Sequence, residues 1–131
     1  MRIYIAGKYT AQARLRTERE RLQALGYLVD CTWMDQPEQG YAVTPERAIS
    51  EAFRDIEEIR AVDAMIIATL DDRNTGGRDD ALGCAIAWGH KIVLIGPERN
   101  IFHSLAARQF DSWADFFEEA GAPAPEAPTV A

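Results

Sequence analysis

The stretch Asn74-Thr75-Gly76-Gly77-Arg78-Asp79-Asp80-Ala81-Leu82-Gly83-Cys84-Ala85-Ile86-Ala87-Trp88-Gly89 gathers residue types that could do chemistry. A glycine pair opens a turn, a guanidinium follows, and two acids stand where a helix would begin. Free backbone N–H groups at a helix start, the helix dipole and Arg78 together describe a pocket for an anion. The plainer alternative is a tight connection beside a surface arginine. Asp79 and Asp80 are also the residues that cap helices. One of the two can cap while the other meets ligand or solvent.

Other candidates lie further back. Asp55 sits on the flank of the apolar stripe Ile49, Phe53, Ile56, at the boundary of core and solvent. An acid there is either solvated or shifted for catalysis. Asp63 opens the apolar run Ala64-Met65-Ile66-Ile67-Ala68. Tyr4 lies in a first strand and Trp33 ends a second. Such aromatics either fill the core or stack on a base or sugar. His103 reads as structural. Cys31, Cys84, His90 and His103 lack the spacing of a metal site, so no metal and no cofactor is expected. The two cysteines sit in apolar contexts and read as buried thiols.

The elements that must position these residues alternate as βαβαβαβα. Strands are expected at Ile3-Tyr4-Ile5-Ala6, Tyr27 to Trp33, Asp63 to Leu70 and Lys91 to Gly96. Ala11, Leu15, Leu22 and Leu25 recur at helical spacing, and Gly26 suits the cap. A loop with Pro37 and Gly40 as breakers spans Gln36 to Val43. Thr44-Pro45 opens a second helix, with an N-cap hydroxyl and then proline at the first position. The third, Ala81 to Trp88, is apolar almost all round and is expected to be buried between sheet and partner. Asn100 caps a short segment. Asp111 starts a last helix with Trp113, Phe116 and Phe117 on one face.

This alternation implies an open, mostly parallel α/β sheet of the flavodoxin/Rossmann-like kind, with helices on both faces. Ligands in such sheets bind beyond the carboxyl ends of the strands. Four segments therefore converge: Gly7-Lys8-Tyr9, Trp33-Met34-Asp35, Leu70 to Arg78, and Gly96 to Asn100.

The chain has 131 residues, enough for one domain, here 1–121, followed by an Ala/Pro-rich tail, 122–131, expected to be disordered. Its net charge of −7 argues against a nucleic acid polymer as partner, because that needs a basic surface. No apolar run approaches the ~20 residues of a membrane span and no leader precedes Arg2, so a soluble cytoplasmic protein is expected.

Together these residues resemble the nucleoside 2-deoxyribosyltransferase-like family, which includes nucleoside 5′-monophosphate N-glycosidases. The resemblance runs from Met1-Arg2-Ile3-Tyr4-Ile5-Ala6-Gly7 to Phe110-Asp111-Ser112-Trp113. It is carried by Ala6-Gly7, the Asp55 and Asp63 pair, Gly76-Gly77-Arg78 with Leu82-Gly83 and Ala85, and Lys91 to Pro97 followed by Asn100 to His103. It implies an N-glycosidic enzyme acting on a (deoxy)nucleoside or its 5′-monophosphate. A family glutamate two residues before the helix glycine attacks C1′ and forms a glycosyl ester that a second base or water resolves. Counting back from Gly83 puts that position at Ala81, which can neither attack nor titrate. Asp80 is adjacent but turned about 100° away.

The resemblance gives Tyr4 and Asp55 the task of positioning the nucleophile and leaving base. Gly7, Lys8 and Tyr9 would lie near the sugar or phosphate. Gly76, Gly77 and Arg78 would hold a 5′-phosphate, with Trp33, Asp63 and Asp79 as further binding residues. Asn100 and His103 would complete a neighbouring subunit's pocket. A homodimer or higher oligomer is expected from this and from the apolar content of Ile101-Phe102 and Trp113 to Phe117. Two explanations of Ala81 stand: a variant of a glutamate enzyme, or a natural protein that binds nucleotides without cleaving them. An NAD-cleaving or cyclic-nucleotide-handling relative is a third possibility.

Overall fold

Four strands grow from apolar runs: β1 (Ile3–Ala6), β2 (Ala64–Ala68), β3 (Lys91–Ile95) and β4 (Arg108–Phe110). The computed structural model describes residues 1–36, 44–70 and 76–121. The loop at 37–43, Asn74 and Thr75, and the tail 122–131 lie outside the described residues. The strands form one sheet in the order β1-β2-β3-β4, and every pairing is parallel. β1 and β2 are buried along their whole length, the pattern of parallel strands covered on both faces. Register aligns Ala6 with Ile67, Ala68 with Ile95, and Ile95 with Phe110. Gly7, Thr69 and Gly96 therefore leave the sheet at one edge.

Helices α1 (Gln12–Ala24), α2 (Pro45–Arg60), α3 (Gly77–Ala87) and α4 (Trp113–Ala120) complete the open α/β fold. Their ends follow local chemistry. Thr44 accepts a hydrogen bond from the Arg47 N–H, with Pro45 next in line. Ser112 accepts one from the Asp115 N–H, one residue later than the Asp111 start expected. Gly76 takes φ +100°, a left-handed conformation that lets the chain turn sharply into α3.

The expected strand Tyr27 to Trp33 does not form. Only Leu28 pairs with Arg2, in one parallel bridge, and Thr32–Asp35 is a 3₁₀ turn. Side chains satisfy much of this segment's backbone instead of a neighbouring strand. Gln23 donates to the Val29 carbonyl at 2.9 Å, Gln12 to those of Trp33 and Gln36 at 2.8 Å each, and Arg16 to that of Met34 at 2.6 Å. The Thr32 N–H and hydroxyl both donate to Glu58, at 2.9 and 2.7 Å.

Three further readings change. β4 is a strand of three residues where no element was expected. Leu82 and Ala85 are buried on α3, but Gly83, Ala87 and Trp88 are exposed, so the helix is covered on one side. Trp113, Phe116 and Phe117 are in the core, stacked and edge-packed on one another, and offer nothing to a partner. The apolar stripe of α2 does the opposite: Ile59 is buried while Ile49 and Phe53 are 58% and 65% exposed.

Candidate functional site

A cleft opens at the carboxyl edge of the sheet. β1 and the turn after it supply Tyr4, Ala6, Gly7 and Tyr9; the 3₁₀ turn supplies Trp33; α2 supplies Asp55; the start of α3 supplies Gly77, Arg78 and Ala81. Its volume is about 90 Å³, roughly that of three waters.

Trp33 is a fixed wall. Its indole N–H donates to the Ile5 carbonyl at 2.8 Å, and its ring meets Tyr9 edge-on with centroids 5.4 Å apart. Gln12, buried under the cleft, holds the Trp33 carbonyl. Tyr4 is buried, and burial followed by the Asp55 charge raises its phenol well above the usual value. It stays a neutral phenol, whose hydroxyl can donate or accept a hydrogen bond. Tyr9 is raised by the same two causes in the same order.

Asp55 is the unusual group. Burial pushes its carboxyl up to about 6, only partly offset by Arg54 and reinforced by Glu58. Among the described residues no donor bonds its Oδ1, although that atom is out of solvent. The Arg54 guanidinium stops at 3.6 Å, beyond hydrogen-bond range. Arg78 also lines the cleft; its side chain is 1% exposed and its Nε is 3.8 Å from Asp79. The start of α3 and the raised carboxyl thus border one small space.

Behind α3 lies a second polar group. The Arg99 N–H donates to His103 Nδ1 at 2.8 Å, which leaves Nε2 as the protonated nitrogen, 3.2 Å from Asp79 Oδ1. Arg99 Nε donates to the Thr69 carbonyl at 2.8 Å, and the Thr69 hydroxyl donates to the Pro97 carbonyl at 2.6 Å. Gly96, at φ +120°, permits this packing. A Cβ there would come within 2.6 Å of Thr69 Oγ1 and 2.9 Å of the Leu70 nitrogen.

Of the residues singled out in the sequence, Tyr4, Gly7, Tyr9, Trp33, Asp55, Gly77, Arg78 and position 81 meet in the cleft. Lys8 and Gly76 flank lining residues without lining it. Asp63 accepts a hydrogen bond from the Arg2 N–H at 2.8 Å, at the amino end of the strands and so across the sheet from the cleft. Asn100 caps the 3₁₀ turn Ile101–Leu105 through Phe102. His103 is buried against Asp79, which keeps both side chains on each other. Gln12 and Glu58 were not singled out. Glu58 falls one turn after Asp55, a spacing that places both on one side of α2.

No family model matches the chain, and no curated protein matches it. Solved structures do. A 2-deoxyribosyltransferase from Bacillus psychrosaccharolyticus matches with TM-score 0.75 and 21% identity, over 88% of this chain and 90% of its own. The CMP N-glycosidase BcmB of Clostridium botulinum matches with TM-score 0.60 and 16% identity, over 91% and 97%. A conserved protein from Enterococcus faecalis V583 matches with TM-score 0.66 and 20% identity, over 91% and 96%. The chain shares their fold across nearly its whole described length. A deoxyribosyltransferase and an N-glycosidase among these neighbours accord with the resemblance carried by the sequence motifs.

Proposed function

We propose that residues 1–121 bind a nucleoside or its 5′-monophosphate in this cleft and belong to the chemistry of the N-glycosidic bond. The observation that carries the reading is the convergence of Tyr4, Asp55, Arg78 and position 81 on one space, in a fold shared with a deoxyribosyltransferase and an N-glycosidase. A planar base fits against the Tyr9–Trp33 corner, and a phosphate suits Arg78 and the amide of Gly77. Position 81 then faces C1′ of the sugar. A glutamate there would attack C1′ as the base departs, giving a glycosyl ester, with Asp55 orienting it or protonating the base. No cofactor is needed.

Ala81 withholds that nucleophile, so the covalent route is closed in this chain. The same alanine supports a second reading, a nucleotide-binding protein without catalysis. Ala81→Glu separates the two. Base release should rise by about 10⁴-fold or more, the scale of a lost nucleophile. If the variant binds nucleotides yet frees no base from any nucleoside or 5′-monophosphate, the binding reading takes over.

The exposed Ile101, Phe102 and Leu105, with Ile49 and Phe53, support a homodimer or higher oligomer. Light scattering at micromolar concentration should show more than the monomer mass; a monomer would contradict it. Among the described residues no helix is long and apolar enough to cross a membrane.

A further inference from the structure

We propose that this chain, with alanine at position 81, hydrolyses the N-glycosidic bond by direct attack of water, with the Asp55 carboxylate as general base. It is then a hydrolase that inverts C1′, where a glutamate enzyme retains it and can transfer. This rests on the substrate class proposed above and adds a route that needs no residue at 81.

Asp79 is held by His103, Asp80 is exposed, and Glu58 is tied to Thr32 by two hydrogen bonds. Among the described residues Asp55 is the carboxylate that lines the cleft. Retention needs a second carboxyl to store the sugar as an ester, and inversion needs one to activate water on the face opposite the base. Here the side chain at 81 ends at a methyl, so the place from which an ester would form is left to solvent. Ala81 and Asp55 line the same small cleft, so a water beside the methyl would lie in the space that Asp55 borders. Among the described residues no donor hydrogen-bonds the buried Asp55 Oδ1, and the Arg54 guanidinium stands 3.6 Å from it, so this oxygen can accept from a water or a ligand.

The step balances simply. The water oxygen bonds to C1′ as the C1′–N bond breaks, and the electron pair leaves on the base nitrogen. One water proton passes to Asp55, and the base takes a proton from solvent at the open side. Asp55 then returns its proton to solvent. The products are the free base and the free sugar or sugar 5-phosphate.

The test uses the chain with Ala81, Ala81→Glu and Asp55→Asn, each with cytidine 5′-monophosphate and 2′-deoxyinosine. Base release is followed by chromatography, and a second series contains methanol so that the methyl glycoside records the anomer. The Ala81 chain should free base slowly, well below Ala81→Glu but far above buffer. Its rate should rise with pH through about 6 and then level, because the base must be ionised. Asp55→Asn should lose about 100-fold while still binding nucleotide by titration. The methyl glycoside should be inverted. A retained glycoside, sugar transfer to added adenine, or an unaffected Asp55→Asn would overturn the proposal. So would base release by Ala81→Glu alone, which leaves the substrate reading standing. Release by neither protein, with binding to both, removes the substrate-cleaving reading itself.

Discussion

Two polar groups lie near the carboxyl edge of the sheet, and their hydrogen bonding is opposite. Around His103, the ring accepts a hydrogen bond from the Arg99 backbone N–H and donates one to Asp79, and the Thr69 hydroxyl donates to the Pro97 carbonyl. Around Asp55, one buried oxygen has no donor among the described residues and its carboxyl is pushed up to about 6. His103 and Thr69 are fully buried, whereas the Asp55 side chain is partly exposed. A buried network with its bonds made fixes the shape of the fold, whereas a buried oxygen left unpaired costs stability and is explained by what it will contact. The contrast separates the part of this edge that holds the molecule together from the part that waits for a ligand.

The strongest way to break the contrast is Asp55→Asn. In the Ala81→Glu background it should lower base release by about 100-fold, near 3 kcal/mol of transition-state stabilisation. The same change should stabilise the fold at neutral pH. A carboxyl raised from 3.8 to about 6 binds its proton more tightly folded than unfolded. The resulting penalty is absent below pH 4 and complete above pH 6, on the order of 3 kcal/mol at most. Denaturant titrations should show Asp55→Asn more stable at pH 8 and unchanged at pH 4. Equal stability at pH 8 would mean that Asp55 belongs with the satisfied group after all.

On the other side, His103→Ala should destabilise by about 2 kcal/mol, because it strands the Arg99 N–H and Asp79 together. His103→Gln, which restores part of this bonding, should recover some of the loss. Thr69→Val should cost least, about 1 kcal/mol, for the single bond to Pro97. Neither should change the pH profile of base release. If either does, His103 and Thr69 reach the chemistry and the division between the two groups fails.

Much of the frame was legible because its signals are local. Thr44-Pro45, the run Ala64 to Ala68 and Lys91 to Ile95 each announce their element in adjacent residues. Tyr27 to Trp33 misled for a physical reason. Tyr-Leu-Val-Asp-Cys-Thr-Trp has the composition of a strand, but its backbone is claimed by Gln12, Arg16, Gln23 and Glu58 from two helices. Those claims span as many as 26 residues and leave no local trace. β4 was invisible because Arg-Gln-Phe is too short to show a period. At the site, the glycine turn and Arg78 were legible from the helix start. His103 read as structural from its context, and it is buried; its partner Asp79, 24 residues away, left no local trace.

The lone bridge at Leu28 also bears on how the molecule breathes. β1 has a full ladder only with β2, whose residues lie some 60 positions later in the chain, whereas β2 is flanked by ladders on both sides. Sub-global opening should therefore begin at the amino-terminal strand. Its amides, Ile3 to Ala6, should exchange with deuterium sooner than those of Ile66 to Ala68, even though both runs are equally buried. Tyr4 and Ala6 travel with that strand. The pocket would come apart in a partly open form that keeps β2 and β3 paired, so a bound ligand should slow exchange in β1 more than anywhere else in the sheet.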